Sequence, residues 1–572
     1  SQLEVVVNGA SNTFFVPTGT STVTLDIQSE GGADNLTIDY RTESNAEPLP
    51  GDIQFNTTDG NDRVRLIGTA GRDVTYQPVL VNTQRELTIG GLTTDRLLHL
   101  NQIATLSQIE LDTFGNVTFT SAGAADMVTL SAATAPLGSQ QALSIAGMTD
   151  GAAFETLLLS NVGGVNIDLG TNDALGAGSV DTVTLSDGAL QANLGLTGLT
   201  ISTGNGADVI NLNERSYRNA ADTLNPLNNG GGTGINAGAG VDRVNVNAAV
   251  DSIILRDTQV ALSDGGTARG NLVLQGVAGE EANLSGAASG TEFNLANWTG
   301  DATVTGAAGT DTLSLAGRGS NSTWNLTDGD TGSVGTIGYD LIEQLIGGTG
   351  NDTFVVTGAV AGLASIDGGT AGVNTIDLRS TGSTQSVTLS GLGADVGFAG
   401  AVVGVITAFD NVTAIQAPTA VGDTLTGADL AAAWTLNATS GTYAGGGRTL
   451  NFSGFNGFTG GAQDDTINVN ASRVADIAGG DGADVVTLAA NSTLTGNVDL
   501  GDGANSLVLN SNTQVTGTAT GGVDGDTLSH AGAAGPVDVT LDAINAVPAN
   551  GFDGTSTNVG GGFFGFNSFV GT

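Results

Sequence analysis

One short phrase recurs along this chain and constrains its fold more than any other feature: a glycine-rich turn ending in Asp, then a short strand. Asp181-Thr182-Val183-Thr184-Leu185, Asp208-Val209-Ile210-Asn211-Leu212 and Asp242-Arg243-Val244-Asn245-Val246 are examples. Asp311-Thr312-Leu313, Asp352-Thr353-Phe354, Asp465-Thr466-Ile467, Asp484-Val485-Val486 and Asp526-Thr527-Leu528 repeat it. Earlier copies stand at Asp34, Asp62 and Asp126. Apolar residues two apart after the turn mark a half-buried strand. In the last third the marker falls at Asp465, Asp484, Asn505 and Asp526, in steps of 19, 21 and 21 residues. A repeat of that length fits one coil of a solenoid, in which each unit buries its apolar face only against its neighbours. The expectation is an all-β chain, a right-handed parallel β-helix (β-solenoid) over residues 111–572. Residues 1–110, with four of the nine prolines, are read as a β-rich amino-terminal region serving as a cap or polymerisation strand.

Composition agrees. Ninety glycines and no cysteine accompany 39% apolar and 5% aromatic residues in 572 positions, so small side chains and turns must build the core. No run of about 20 apolar residues exists, which argues against membrane insertion as a helix. The formal charge of −42 repels nucleic acid and anionic lipid while attracting divalent cations.

A longer unit overlies the short one. Trp324-Asn325-Leu326 leads through Tyr339, Ile342 and Leu345 to Gly347-Gly348, and Trp434-Thr435-Leu436 leads through Phe452, Phe455 and Phe458 to Gly460-Gly461. Apolar residues three apart at 452, 455 and 458 fit either a bulged strand or one 3₁₀ turn. The last copy reaches Phe566 and Phe569, and it reads as stopping where Asp-Thr-Ile should follow. An unfinished strand edge is a template for another strand. Either the mature protein continues beyond Thr572 or another molecule supplies the next coil; in the second case the amino-terminal strand of a second copy, around Leu3, Val5 and Val7, docks there and gives a non-closing, head-to-tail homopolymer.

Two stretches fit the nonapeptide G-G-x-G-x-D-x-U-x, namely Gly347-Gly348-Thr349-Gly350-Asn351-Asp352 and Gly479-Gly480-Asp481-Gly482-Ala483-Asp484. Here the chain resembles the calcium-binding repeats-in-toxin family. The resemblance implies Ca2+ held by turn carbonyls and carboxylates, with Gly347, Gly348, Gly350, Asp352, Gly479, Gly480, Asp481, Gly482 and Asp484 as its site. Other copies depart from the pattern, as where Gln463 replaces a turn glycine, and none stand in tandem. The other reading is that Gly and Asp only shape and hydrogen-bond the turn.

The longer unit is similar to repeats of bacterial haemagglutinin-like and adhesin-like surface proteins. That implies a cell-surface or matrix location and a long β-solenoid, not a particular receptor. The expectation is a non-enzymatic subunit or segment of an extracellular fibre, matrix or adhesin, with further copies of itself and cell-surface polysaccharide as partners. Two alternatives are an S-layer lattice crosslinked by calcium and a carbohydrate-active β-helix enzyme such as a polysaccharide lyase. His99 and His530 are the only histidines, and no nucleophile, zinc or P-loop motif is present, which leaves catalytic residues unassigned.

Overall fold

A computed structural model describes the chain except residues 1, 8–9, 16–23, 29–31, 42–51, 57–60, 82–83, 92–94, 102–105, 122, 174–178, 192–194, 214–233, 278, 358–362, 420–421 and 546–550. The protein is all-β, with two long, mixed, largely parallel sheets and no α-helix among the described residues, a solenoid-like arrangement. Among those residues no helix is long and apolar enough to cross a membrane. Contacts divide the chain into two units, Ser1–Gly309 and Thr310–Thr572.

The coil is clearest in the second unit. Strands Thr466–Val469, Val485–Leu488, Ser506–Leu509 and Thr527–Ser529 stack in parallel in the first sheet. Their register brings Ile467, Val486, Leu507 and Leu528 into one column, all fully buried. Between them the chain crosses to the second sheet, where Phe458, Ile477, Val498 and Ala519 stack likewise. Strands pointing alternate side chains to opposite faces place Val, Ile and Leu inside and Thr, Ser and Asn outside. The first unit repeats this in Thr182–Leu185, Val209–Leu212 and Arg243–Val246, whose Val183, Ile210 and Val244 are buried. The expected boundary at 110/111 falls inside strand Leu106–Asp112. A parallel ladder already runs through Asn35–Asp39 and Asp62–Ile67 to that strand.

The irregular marker spacing has a structural cause. Several coils carry a three-stranded antiparallel meander, such as Ala432–Leu436, Ser440–Gly445 and Arg448–Ser453. Its third strand pairs in parallel with the preceding Ala414–Gln416 and its first with the following Thr466–Val469. Trp434 is thereby sealed among Tyr443, Phe452 and Phe458, with ring centroids 4.7 to 6.0 Å away.

The three-apart aromatics form neither a bulged strand nor a 3₁₀ turn. Phe452 ends a strand of the first sheet, Phe455 fills the corner, and Phe458 lies in Gly457–Thr459 of the second sheet. The residue two after the first apolar position takes a left-handed conformation at every such corner. It is Thr113, Asn161, Leu341, Asn411, Gly454 or Gly565, with φ between 55° and 89°. One corner thus serves Leu111-Phe114-Val117 in the first unit and Phe563-Phe566-Phe569 in the second. At Gly454 a Cβ would also press on the Ala417 carbonyl oxygen. Gly454→Ala is expected to cost about 1–3 kcal/mol, whereas Leu341→Gly, relieving a strained branched residue, should be neutral or stabilising in thermal melts.

Candidate functional site: the aspartate ladder

Most marker aspartates stand at the start of first-sheet strands, buried to within 1% exposure at Asp126, Asp181, Asp208, Asp242, Asp352, Asp465, Asp484 and Asp526, whereas Asp311 precedes the second-sheet strand Thr312–Ser314. Each of these first-sheet aspartates except Asp126, which starts its run as a donor, uses its side chain in the same way. Its Oδ1 accepts the backbone N–H at the equivalent position of the stacked neighbour one strand earlier.

In the first unit the Asp126 N–H donates to Asp181, Asp181 to Asp208 and Asp208 to Asp242, at 2.8 to 3.0 Å, and Asp242 donates to Glu280. In the second unit Ala432 donates to Asp465, Asp465 to Asp484, Asp484 to Asn505, Asn505 to Asp526 and Asp526 to Asn567. A shorter run joins Ser322 to Asp352, Asp352 to Asn374 and Asn374 to Thr413. A turn leaves one backbone N–H per coil without a sheet partner, and burial makes an unmet donor costly. A short side chain with an acceptor at its tip meets that need, which explains why Asp, Asn, Glu and Thr all occupy the position.

The second carboxylate oxygen separates two kinds of rung. At Asp352, Asp465 and Asp526 that oxygen accepts the turn N–H four residues upstream, of Gly348, Gly461 or Gly522, at 2.6 to 2.7 Å. At Asp181, Asp242 and Asp484 it is buried with no hydrogen-bond partner among the described residues. Burial, with the charges of Asp126, Asp173 and Asp208 added, pushes the Asp181 carboxyl up to about 8. Burial likewise raises Asp242 and Asp484 to about 6.

The calcium reading meets this geometry directly. Both Asp352 oxygens are committed to backbone donors, so Gly347, Gly348, Gly350 and Asp352 leave no carboxylate free for an ion. Those three glycines lie outside the left-handed region; they are small because neighbouring coils approach, as where a Cβ on Gly347 would stand 2.5 Å from the Gly368 carbonyl oxygen. In the other nonapeptide Gly480 and Gly482 are left-handed, as the turn requires. Its Asp484 serves Asp465, while Asp481 is exposed beside Asp502 of the next coil. Among the described residues no group of three or more His, Asp or Glu side chains is placed to hold a metal. At Gly347–Asp352 the donor set does not fit the calcium ladder that the resemblance implies, whereas at Gly479–Asp484 one Asp484 oxygen accepts no hydrogen bond among the described residues.

The terminal residues also fall into place. Phe566 is fully buried, and Phe569 packs on Phe563 at 5.3 Å. Asn567 accepts from Asp526, and Ser568–Val570 pairs in parallel with Thr527–Ser529. Asn567-Ser568-Phe569-Val570 is therefore itself a marker and strand, which corrects the reading that the last unit stops short of one; Asn in place of Asp hid it. At the other end the side chains of Leu3, Val5 and Val7 lie outside the described residues. The backbone of Gln2–Val7 pairs antiparallel with Ala10–Phe15 on one edge and, through Val6 and Val7, with Asn35–Asp39 on the other. The two histidines are far apart in sequence, and buried His530 approaches Ser556 at 3.3 Å.

No protein-family model matches the sequence, and no curated protein matches it.

Proposed function

We propose that the chain is a right-handed parallel β-solenoid acting as a non-enzymatic structural segment of a bacterial fibre or matrix outside the cell. Right-handedness follows the rule for crossovers between parallel strands. The observation that carries the reading is the ladder. Coil after coil invests its buried polar side chains in holding the next coil, so the most repeated chemistry in the molecule is spent on continuity of the stack. A chain with 57 acidic residues, 15 arginines and no lysine carries a net negative charge that keeps such glycine-rich material dispersed until it assembles.

Electron microscopy of the purified chain tests this. Filaments that lengthen with concentration are expected. A two-dimensional lattice that needs calcium would favour the surface-layer alternative, and monodisperse particles at every concentration would remove the fibre reading.

A further inference from the structure

The only two methionines of the chain stand opposite each other. Met127 lies in Asp126–Ala135 and Met148 in Gln140–Thr149, an antiparallel hairpin of the first sheet whose register pairs them directly. Alternation turns Asp126, Val128 and Leu130 inward on one strand and Ile145 and Thr149 inward on the other, all of them buried. Both methionines therefore face outward, 51 and 38% exposed. The next outward pair is Thr129 and Ala146, short side chains of the kind this face carries elsewhere. Packing does not call for two long thioethers there. Their partners on the flanking strands are small as well: Thr182 beside Met127 and Ala153 beside Met148.

We propose that Met127 and Met148 form a binding site for a soft monovalent cation, copper(I) or silver(I). Residues directly opposite in an antiparallel pair hold their Cβ atoms about 4.5–5.5 Å apart, and methionine is unbranched with three rotatable bonds, so the two sulfurs can close on one ion. Thioether sulfur is a soft, uncharged donor that suits copper(I), whereas calcium and magnesium take oxygen ligands. Copper(I) and silver(I) accept two ligands in line, so a pair of sulfurs suffices. The rest of the chain competes little for such an ion. Cysteine is absent, His530 is buried, and His99 lies in Arg96–Asn101 of the second sheet, against Glu86. Charge adds to the case. Asp150, two residues after Met148, closes this end of the hairpin: its N–H donates to the Ala125 carbonyl, and its Oδ1 accepts the Ala124 and Ala125 N–H groups at 3.0 and 3.3 Å. A carboxylate thus stands at the same end of the hairpin as the thioethers, where it favours an ion that two neutral sulfurs leave fully charged. The site belongs to one hairpin of one copy and is independent of the fibre reading.

Silver is the air-stable probe for this class of ion. Methionine-methyl NMR of the full chain during a silver titration in chloride-free buffer tests the site, with Met127→Leu and Met148→Leu assigning the two signals. Both methyl resonances should move together and stop at one silver per chain, while calcium leaves them in place. Leucine keeps the volume and apolar character of methionine, so each variant should melt with wild type yet bind silver at least tenfold more weakly. Methyl signals that stay in place at millimolar silver, or that saturate independently of each other, would overturn the site. Either leucine variant binding silver as tightly as wild type would overturn it too.

Discussion

Asp181→Asn is expected to stabilise the amino-terminal unit by roughly 2–4 kcal/mol at pH 8 and by almost nothing at pH 4. Wild-type Asp181 is buried, offers Oδ1 to the Asp126 N–H, and leaves Oδ2 without a partner among the described residues. Asp126, Asp173 and Asp208 face it, all of one sign. Its folded-state pKa, about 8, lies above the ordinary carboxyl value. The stability this implies is therefore fully present below the ordinary value and is lost as pH rises through about 8. Asn keeps the acceptor and removes the charge. The second unit already makes that substitution: Asn505 accepts from Asp484 and donates to the carbonyls of Gly501 and Gly503. Melts between pH 4 and 9 should show a falling wild-type curve and a flatter variant curve. Parallel curves would mean that Asp181 stays solvated and ionised.

Asp352→Ala should be the opposite case, costing about 3–5 kcal/mol. It strips the acceptor from two buried donors, the N–H groups of Ser322 and Gly348. Each unmet buried donor costs about 1–3 kcal/mol. Asp352→Asn should lose less, about 1–2 kcal/mol, since Oδ1 can still serve Ser322 while the amide nitrogen confronts the Gly348 N–H. Denaturant melts should therefore rank wild type above Asn and Asn above Ala at position 352, while Asn outranks wild type at position 181. A loss below 1 kcal/mol for Asp352→Ala would mean that these bonds add little.

The strands were legible because two-residue alternation survives in nearly every copy, and the 19 to 21 residue steps disclosed the coil. The marker's partner was not. A hydrogen bond from residue 465 to residue 484 joins neighbours in space that are nineteen apart in sequence, and no local pattern encodes which atom accepts. The same gap allowed Gly347 to Asp352 to be read through a calcium resemblance. A ladder and an ion site ask for similar turns and differ in whether the carboxylate oxygens are already engaged. The corner at Phe452, Phe455 and Phe458 was visible as spacing but unassigned, because its left-handed residue varies among Gly, Asn, Thr and Leu. Once that position is marked, Leu111-Phe114-Val117 and Phe409-Val412-Ile415 can be read as the same corner. The meanders were hidden for a simpler reason: their strands alternate like any others, and only pairing direction sets them apart.

Amide hydrogen exchange at the marker positions, with calcium and with chelator, tests the ladder most directly. The backbone N–H groups of Asp465, Asp484 and Asn505 should be among the slowest in the chain, with the same protection in both conditions. Rapid exchange at these amides, or protection that appears only with calcium, would contradict a ladder of side-chain acceptors and restore the ion as the agent that holds the coils together.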